Sequence, residues 1–113
     1  MRPLVILENL VKGLDMSKIR DSFQQDLAAV AWRELRIHLQ RDAIIVVGPS
    51  LDLIDTAVAV ADDDTNRVQE WMTDGLIGKP EKEQLEVWEA DLDRSFQMLI
   101  VQPYILIQSV NSA

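Results

Sequence analysis

The stretch from Asp42 to Pro80 constrains the fold more than any other part of the chain. It begins with the apolar run Ala43–Val47, which is rich in β-branched residues and stops at Gly48-Pro49-Ser50. A short β-branched run that ends at turn residues is typical of a buried strand. We therefore predict a strand at Ala43–Val47 and expect the rest of the chain to pair with it or cover it.

A helix is predicted directly after this strand. Apolar residues recur along residues 51–61 at the helical period, and Ser50 can serve as the N-cap. Asp52 would then lie in the first turn, where a carboxylate favours the positive end of the helix dipole. Because Ala and Val also alternate over residues 57–60, a strand is the competing interpretation.

The next helix is predicted over about Thr65–Asp74. Asp63 or Asp64 precedes it as a capping residue, and Val68, Trp71 and Met72 are expected to point inward. Gly75 follows as the left-handed residue of a Schellman motif, with Leu76 packing back on Trp71.

Helices are also predicted on both sides of this central region. Ile19, Phe23 and Leu27 share one face of an amphipathic helix that begins near Ser17. A helical period continues through Trp32, Leu35 and Leu39, as one long helix or as two with a break near Val30, which we favour. Farther along, Pro80 suits the first position of a helix that turns Leu85 and Trp88 inward. All three tryptophans are therefore predicted in the core.

The C-terminal region is predicted as one strand over Phe96–Gln108. It is apolar on both faces and contains Pro103, which cannot donate to a β-ladder. The strand should therefore lie at a sheet edge near Pro103 or bend there. Pairing it with Ala43–Val47 gives an α+β fold, with a two- or three-stranded sheet covered by about four short helices.

Domain organisation follows from length and pattern. We predict a single domain over residues 16–110, because a chain of 113 residues has the size of one domain. Residues 1–15 show no sustained period and are predicted to be a weakly structured extension. We hypothesise that Met16 is the biological start.

Composition excludes several classes of protein. The formal net charge of −8 repels nucleic-acid phosphates and anionic membranes, and the arginines Arg33, Arg36 and Arg41 are interrupted by acids. No cysteine is present, which removes disulfides and thiol chemistry and suits a reducing, cytoplasmic setting. No apolar segment is long enough to span a bilayer. We expect no nucleic-acid or membrane partner.

One group of residues could bind a metal ion. Glu34 and His38 are four residues apart on a helix, so a carboxylate and an imidazole could reach one ion. Asp52 and Asp55 would add ligands if they faced the same cleft. A single histidine among scattered acids is more often hydrogen-bonded than metal-bound, so no cofactor is predicted, and a divalent metal belongs to an alternative hypothesis.

The C-terminal strand also contains candidate interface residues. Tyr104 lies beside Pro103, with Gln102 and Gln108 nearby on the strand. An exposed edge here would invite pairing with a second copy of the chain. We therefore predict an interface at Gln102, Pro103, Tyr104 and Gln108.

Several features together resemble a known family. They are Trp32-Arg-Glu-Leu35, Leu51-Asp52-Leu53, the alanine-valine run into Asp62-Asp63, Val68 and Trp71 before Gly75, and the segment Leu99–Gln108. This combination resembles a family of short bacterial proteins known only as domain of unknown function 2288. The resemblance covers about Met16–Gln108. It implies a bacterial cytoplasmic setting and brings no activity, cofactor or catalytic residue.

Two hypotheses of function follow. The first is a small acidic cytoplasmic module without catalytic activity, which binds another protein or a second copy of itself. The second is a metal-dependent or small-molecule-processing enzyme that uses Glu34, His38, Asp52 and Asp55. It requires those four side chains to converge in one cleft.

Overall fold

The computed structural model describes residues 16–110, which form five α-helices around one five-stranded sheet. The helices are α1 (Met16–Asp26), α2 (Trp32–Leu35, continued by a 3₁₀ helix Arg36–Arg41), α3 (Leu53–Ala61), α4 (Thr65–Thr73) and α5 (Lys82–Glu89). The strands are β1 (Ala28–Ala31), β2 (Ile44–Val47), β3 (Ile77–Gly78), β4 (Ser95–Val101) and β5 (Tyr104–Ser109). The extension predicted at residues 1–15 lies outside the described residues.

The sheet is mixed, with the strand order β1-β4-β5-β2-β3. The predicted pairing of the first strand with the C-terminal segment is confirmed: β2 runs parallel to β5, with Ile45 opposite Leu106. The pairs β1–β4, β4–β5 and β2–β3 are antiparallel. The α+β class is therefore correct.

The prediction of two or three strands was wrong, because β1 and β3 were missed. Residues Ala28–Ala31 have low intrinsic strand preference and continue a helical pattern, yet they pair with β4 along their whole length. The predicted break in the helical pattern near Val30 is confirmed, and a strand fills it. Strand β3 has only two residues, too few for an alternating pattern.

The prediction of a single strand over Phe96–Gln108 was also wrong. Gln102 and Pro103 form the turn of a hairpin between β4 and β5, and the peptide bond between them is cis. Proline suits a turn because it has no N–H to give to a ladder. Strand β5 lies inside the sheet between β4 and β2, so it offers no free edge to a second copy.

The sheet is covered on both faces. Helices α1, α3 and α4 pack on one face, where the buried side chains are Val47, Leu53, Ile54, Ala57, Ile77, Leu99, Val101 and Leu106. Helices α2 and α5 pack on the other, around Trp32, Leu35, Ile44, Trp88, Phe96, Ile105 and Ile107. Successive residues of β2, β4 and β5 alternate between these clusters, as the pleat requires. No helix within residues 16–110 is both long and apolar enough to cross a membrane.

Capping residues explain where the helices on the first face begin. Helix α3 is confirmed over residues predicted as helix or strand, but its N-cap is Asp52, which accepts from the Asp55 N–H at 2.9 Å, rather than Ser50. Asp64 caps α4 as predicted, and accepts from the Arg67 N–H at 3.3 Å.

Helix α5 begins later than predicted. Glu81 is its N-cap and shares a capping box with Gln84, so Pro80 precedes the helix instead of opening it. The capping box satisfies two N–H groups that have no partner within the helix.

The end of α4 confirms the predicted Schellman motif. The Leu76 N–H donates to the Trp71 carbonyl at 2.8 Å and the Gly75 N–H to the Met72 carbonyl at 3.1 Å. Gly75 itself has a φ of 74°. Glycine adopts this left-handed conformation without the steric cost that a Cβ adds.

Replacing Gly75 with alanine is expected to lower the free energy of unfolding by about 1–2 kcal/mol, the cost of a Cβ in the left-handed region. Gly78→Ala is the matched control, because Gly78 has no positive φ and an added Cβ would meet nothing within 4 Å. Urea denaturation measures the free energy of unfolding of both variants. Equal effects of the two substitutions would show that backbone conformation at Gly75 is not the cause.

Candidate functional site

The structure does not bring the four candidate metal ligands together. Glu34 lies on α2 and His38 on the 3₁₀ helix that follows, against one face of the sheet, whereas Asp52 and Asp55 begin α3 on the other. Asp55 is paired with Arg20 of α1, and His38 Nδ1 lies 2.6 Å from Arg41 Nη2. In residues 16–110, no three His, Asp or Glu side chains are placed to share a metal ion. The convergence required by the enzyme hypothesis is not observed.

The four predicted interface residues separate into two groups. Gln102, Pro103 and Tyr104 are exposed at the hairpin turn, with Tyr104 42% exposed. Gln108 is half-buried, and its Nε2 donates to the carbonyls of Gly48 at 2.8 Å and Leu51 at 2.7 Å. Gln108 therefore holds the loop before α3 and is not available to a partner.

A groove of about 490 Å³ lies beside this turn. Its floor is formed by Ile45, Leu106 and Ile77, which point to the same face of three neighbouring strands. Its walls come from the end of α3 and from α4, and they contribute Ala59, Val60, Val68 and Met72. The hairpin turn closes the opposite side. Met72, predicted to point inward, is 53% exposed here.

The rim of the groove is polar and carries more acidic than basic charge. Asp63 and Asp64 lie between α3 and α4 at the rim, and neither forms an ion pair with another described residue. Within the part of the chain that the structure describes, the basic side chain at the rim is that of Lys79, which is paired with Asp42. The amides of Gln69 and Gln102 and the hydroxyls of Thr65 and Tyr104 are further polar groups at the rim.

Among residues 16–110, the rim shows no nucleophilic side chain hydrogen-bonded to a base. Nucleophilic catalysis requires a nucleophile hydrogen-bonded to a base. Thr65 and Tyr104 are the hydroxyl groups at the rim, and neither side chain is hydrogen-bonded to a base among the described residues. Apolar contact in the floor, with a few polar groups above it, is instead typical of a recognition site.

Two of the three arginines considered as a basic patch, Arg33 and Arg36, are paired with acids on the face of the sheet opposite the groove. Arg33 Nη2 lies 2.7 Å from Asp93, and Arg36 forms a two-point pair with Glu89, in which its Nε donates at 3.0 Å. Glu89 also accepts from Trp32 Nε1 at 2.6 Å. These contacts connect α2 to α5 above the aromatic cluster formed by Trp32, Trp88 and Phe96.

The hydrogen bonds from Arg36 and then Trp32 lower the pKa of Glu89 below its ordinary value of 4.5. A carboxyl whose pKa is lower in the folded state stabilises the fold above its unfolded pKa. The stabilising contribution of Glu89 is therefore lost as pH falls through the pKa that its carboxyl has in the folded state.

Glu89→Gln is therefore expected to flatten the dependence of unfolding free energy on pH in the acid range below the ordinary pKa of 4.5. The difference in unfolding free energy between wild type and variant should be largest near neutral pH and should become smaller in acid. Denaturation at several pH values measures it, with Glu86→Gln on the same helix as control. An unchanged gap across the range would contradict this role of Glu89.

Most of the groove could not be found from the sequence. Val68 and Met72 were predicted to be core positions of α4, and Lys79 was not singled out. Gln102, Pro103 and Tyr104 were singled out as interface residues, because an exposed strand edge was expected near Pro103. The groove depends on how α4 sits over the end of the sheet, which no local pattern encodes.

Comparisons with known proteins place the chain in a family without assigning it an activity. The sequence profile described as a protein of unknown function, DUF2288, matches residues 18–109. The chain is also similar to PA1075 from Pseudomonas aeruginosa, whose structure was determined by NMR in solution. That protein is 27% identical, with a TM-score of 0.69 over 80% of this chain and 82% of its own. No curated protein matches the sequence. This chain belongs to the DUF2288 family of proteins of unknown function.

Proposed function

We propose that this protein is a non-enzymatic interaction module that binds a short apolar segment of another protein in the groove between α4 and the β4–β5 turn. The observation that carries the proposal is the groove itself, with its floor of Ile45, Leu106 and Ile77 and the exposed side chains of Met72 and Tyr104 at its sides. A volume of about 490 Å³ falls within the range of protein ligand sites.

Charge indicates the chemistry of the partner. Asp63 and Asp64 stand at the rim without ion-pair partners among residues 16–110, and the whole chain has a net charge of −8. A partner segment with lysine or arginine next to its apolar residues would be steered towards the groove and paired at its rim. Gln69 and Gln102 can hydrogen-bond the backbone of such a segment.

The other partner classes have less support. Pairing of Arg33 with Asp93 and of Arg36 with Glu89 removes the positive face that phosphates would need.

As part of the proposal we place the protein in a bacterial cytoplasm, where a chain without cysteine is at no disadvantage.

Two synthetic peptides test this function. Both contain the apolar core Leu-Phe-Leu, flanked in one by lysines and in the other by glutamates, and each is titrated into the full chain by calorimetry. We expect the lysine peptide to bind at least about tenfold more tightly, with the difference shrinking as salt screens the rim. If neither peptide binds, or both bind equally, the proposed groove chemistry is wrong.

A further inference from the structure

Met72 places a thioether, which is an oxidisable group, on the wall of the groove. The residue lies in the last turn of α4 and is 53% exposed. The chain contains no cysteine, so no thiol of its own competes for a mild oxidant. A peroxide that reaches the protein therefore reacts first with methionine, and Met72 is open to it.

Met98, the second methionine whose side chain the structure describes, is better protected. It lies in β4, is half-buried, and packs against the aromatic cluster on the sheet face opposite the groove. Oxidation of a thioether requires the oxidant to reach the sulfur, so exposure decides which methionine reacts. The two residues therefore provide an internal comparison within one chain.

Oxidation at Met72 would change the groove and leave the fold intact. The Met72 side chain is not among those packed against the two buried clusters of residues 16–110. Its backbone carbonyl accepts from the Gly75 N–H at 3.1 Å, and a change at the sulfur does not alter that hydrogen bond. The effect of an added oxygen therefore falls on the groove.

A sulfoxide would make the wall polar where a ligand needs apolar contact. Oxidation converts the apolar methionine side chain into a polar one whose oxygen accepts hydrogen bonds. Val68 and Gln69 precede Met72 by four and three residues on α4, so the three side chains are neighbours along the groove wall. The Gln69 amide can donate to the sulfoxide oxygen. An apolar ligand side chain would then have to desolvate this oxygen, which costs free energy.

We propose that Met72 is a modification site at which oxidation by a hydroperoxide switches off ligand binding in the groove. The sulfur lone pair attacks one peroxide oxygen, so that an S–O bond forms and the O–O bond breaks. The second oxygen takes the proton of the first and leaves as water, or as an alcohol from an alkyl hydroperoxide. Sulfur loses two electrons and the peroxide gains them. A reductase that oxidises two thiols to a disulfide reverses the step and releases water.

Peroxide treatment of the folded full chain, followed by mass spectrometry of its proteolytic fragments, tests the site. We expect sulfoxide to form at Met72 at least about fivefold faster than at Met98, because of their difference in exposure. The chain unfolded in urea is the control, and there the two rates should become similar. Similar rates in the folded chain would overturn the proposal, whether or not the groove binds a peptide.

Titration of the lysine-flanked peptide into reduced and oxidised chain tests the switch, which rests on the proposed function. We expect affinity to fall at least about tenfold on oxidation and to return after treatment with methionine sulfoxide reductase. Met72→Leu keeps an apolar side chain of similar volume without sulfur, so it should bind like wild type and should not respond to peroxide. Met72→Gln, which is polar and uncharged, should bind as weakly as the oxidised chain.

The outcomes separate this proposal from the proposed function. If the reduced chain binds the peptide and the oxidised chain binds it equally well, the switch is wrong and groove binding stands. The switch is also wrong if peroxide weakens binding by Met72→Leu as much as by wild type, because the reaction that matters is then elsewhere. If the reduced chain does not bind the peptide, the proposed function and the switch are both wrong.

Discussion

Replacing Trp32 with alanine is expected to lower the free energy of unfolding by about 3–5 kcal/mol, the usual cost of deleting a large buried aromatic side chain. Trp32 is fully buried, and its ring centroid lies 4.9 Å from that of Trp88 and 6.0 Å from that of Phe96. The substitution also removes the indole N–H that donates to Glu89. The substitution therefore weakens both the core packing on the sheet face covered by α2 and α5 and the hydrogen-bonded contact between these two helices.

Urea denaturation followed by circular dichroism measures this effect. Val87→Ala is the matched control, because Val87 is next to Trp88 in α5 but 55% exposed. We expect that variant to stay within about 0.5 kcal/mol of wild type. A loss below about 2 kcal/mol for Trp32→Ala would show that the aromatic cluster contributes far less than its burial implies.

Substitutions at the groove are expected to have the largest effects on binding. Tyr104→Ala should weaken the lysine-flanked peptide about tenfold, since an aromatic side chain at a groove commonly anchors the ligand. Tyr104 is 42% exposed, so the fold should survive. Asp63→Asn should weaken binding less, and should reduce its dependence on salt, because it removes one rim charge. Asparagine tolerates the left-handed conformation of Asp63, whose φ is 57°.

Asp74→Asn is the matched control for charge. Asp74 is an exposed aspartate at the other end of α4, away from the groove, and it follows the helix as its C-cap. Its loss should leave peptide affinity and salt dependence nearly unchanged. If Asp74→Asn weakens binding as much as Asp63→Asn, the peptide responds to total charge and not to the rim.

Local chemistry explains which parts of the fold were predictable. Strand β2, helix α4 and the Schellman motif at Gly75 are each determined by a few neighbouring residues, and all three were predicted. Strand β1 was not, because four small residues acquire strand structure only through pairing with β4. The position of Gln108 was missed for a similar reason, since its partners Gly48 and Leu51 are distant in sequence.

The site was less predictable than the fold. The hairpin turn at Gln102–Tyr104 contains an aromatic residue next to a proline, and this pair is visible in the sequence. Nothing in the sequence indicates that the wall residues Val60 and Met72 are exposed, because an apolar residue on an amphipathic helix is normally predicted to be buried. Their exposure depends on where α4 ends over the sheet.

The most direct test of groove binding is an NMR titration that follows the methyl groups of Met72 and Met98. Met72 is 53% exposed in the groove, whereas Met98 packs against the aromatic cluster on the other face of the sheet. On addition of the lysine-flanked peptide, the Met72 signal should shift in proportion to occupancy while the Met98 signal stays in place. Peptide binding that leaves Met72 unchanged, or that shifts Met98 instead, would show that the groove is not the recognition site.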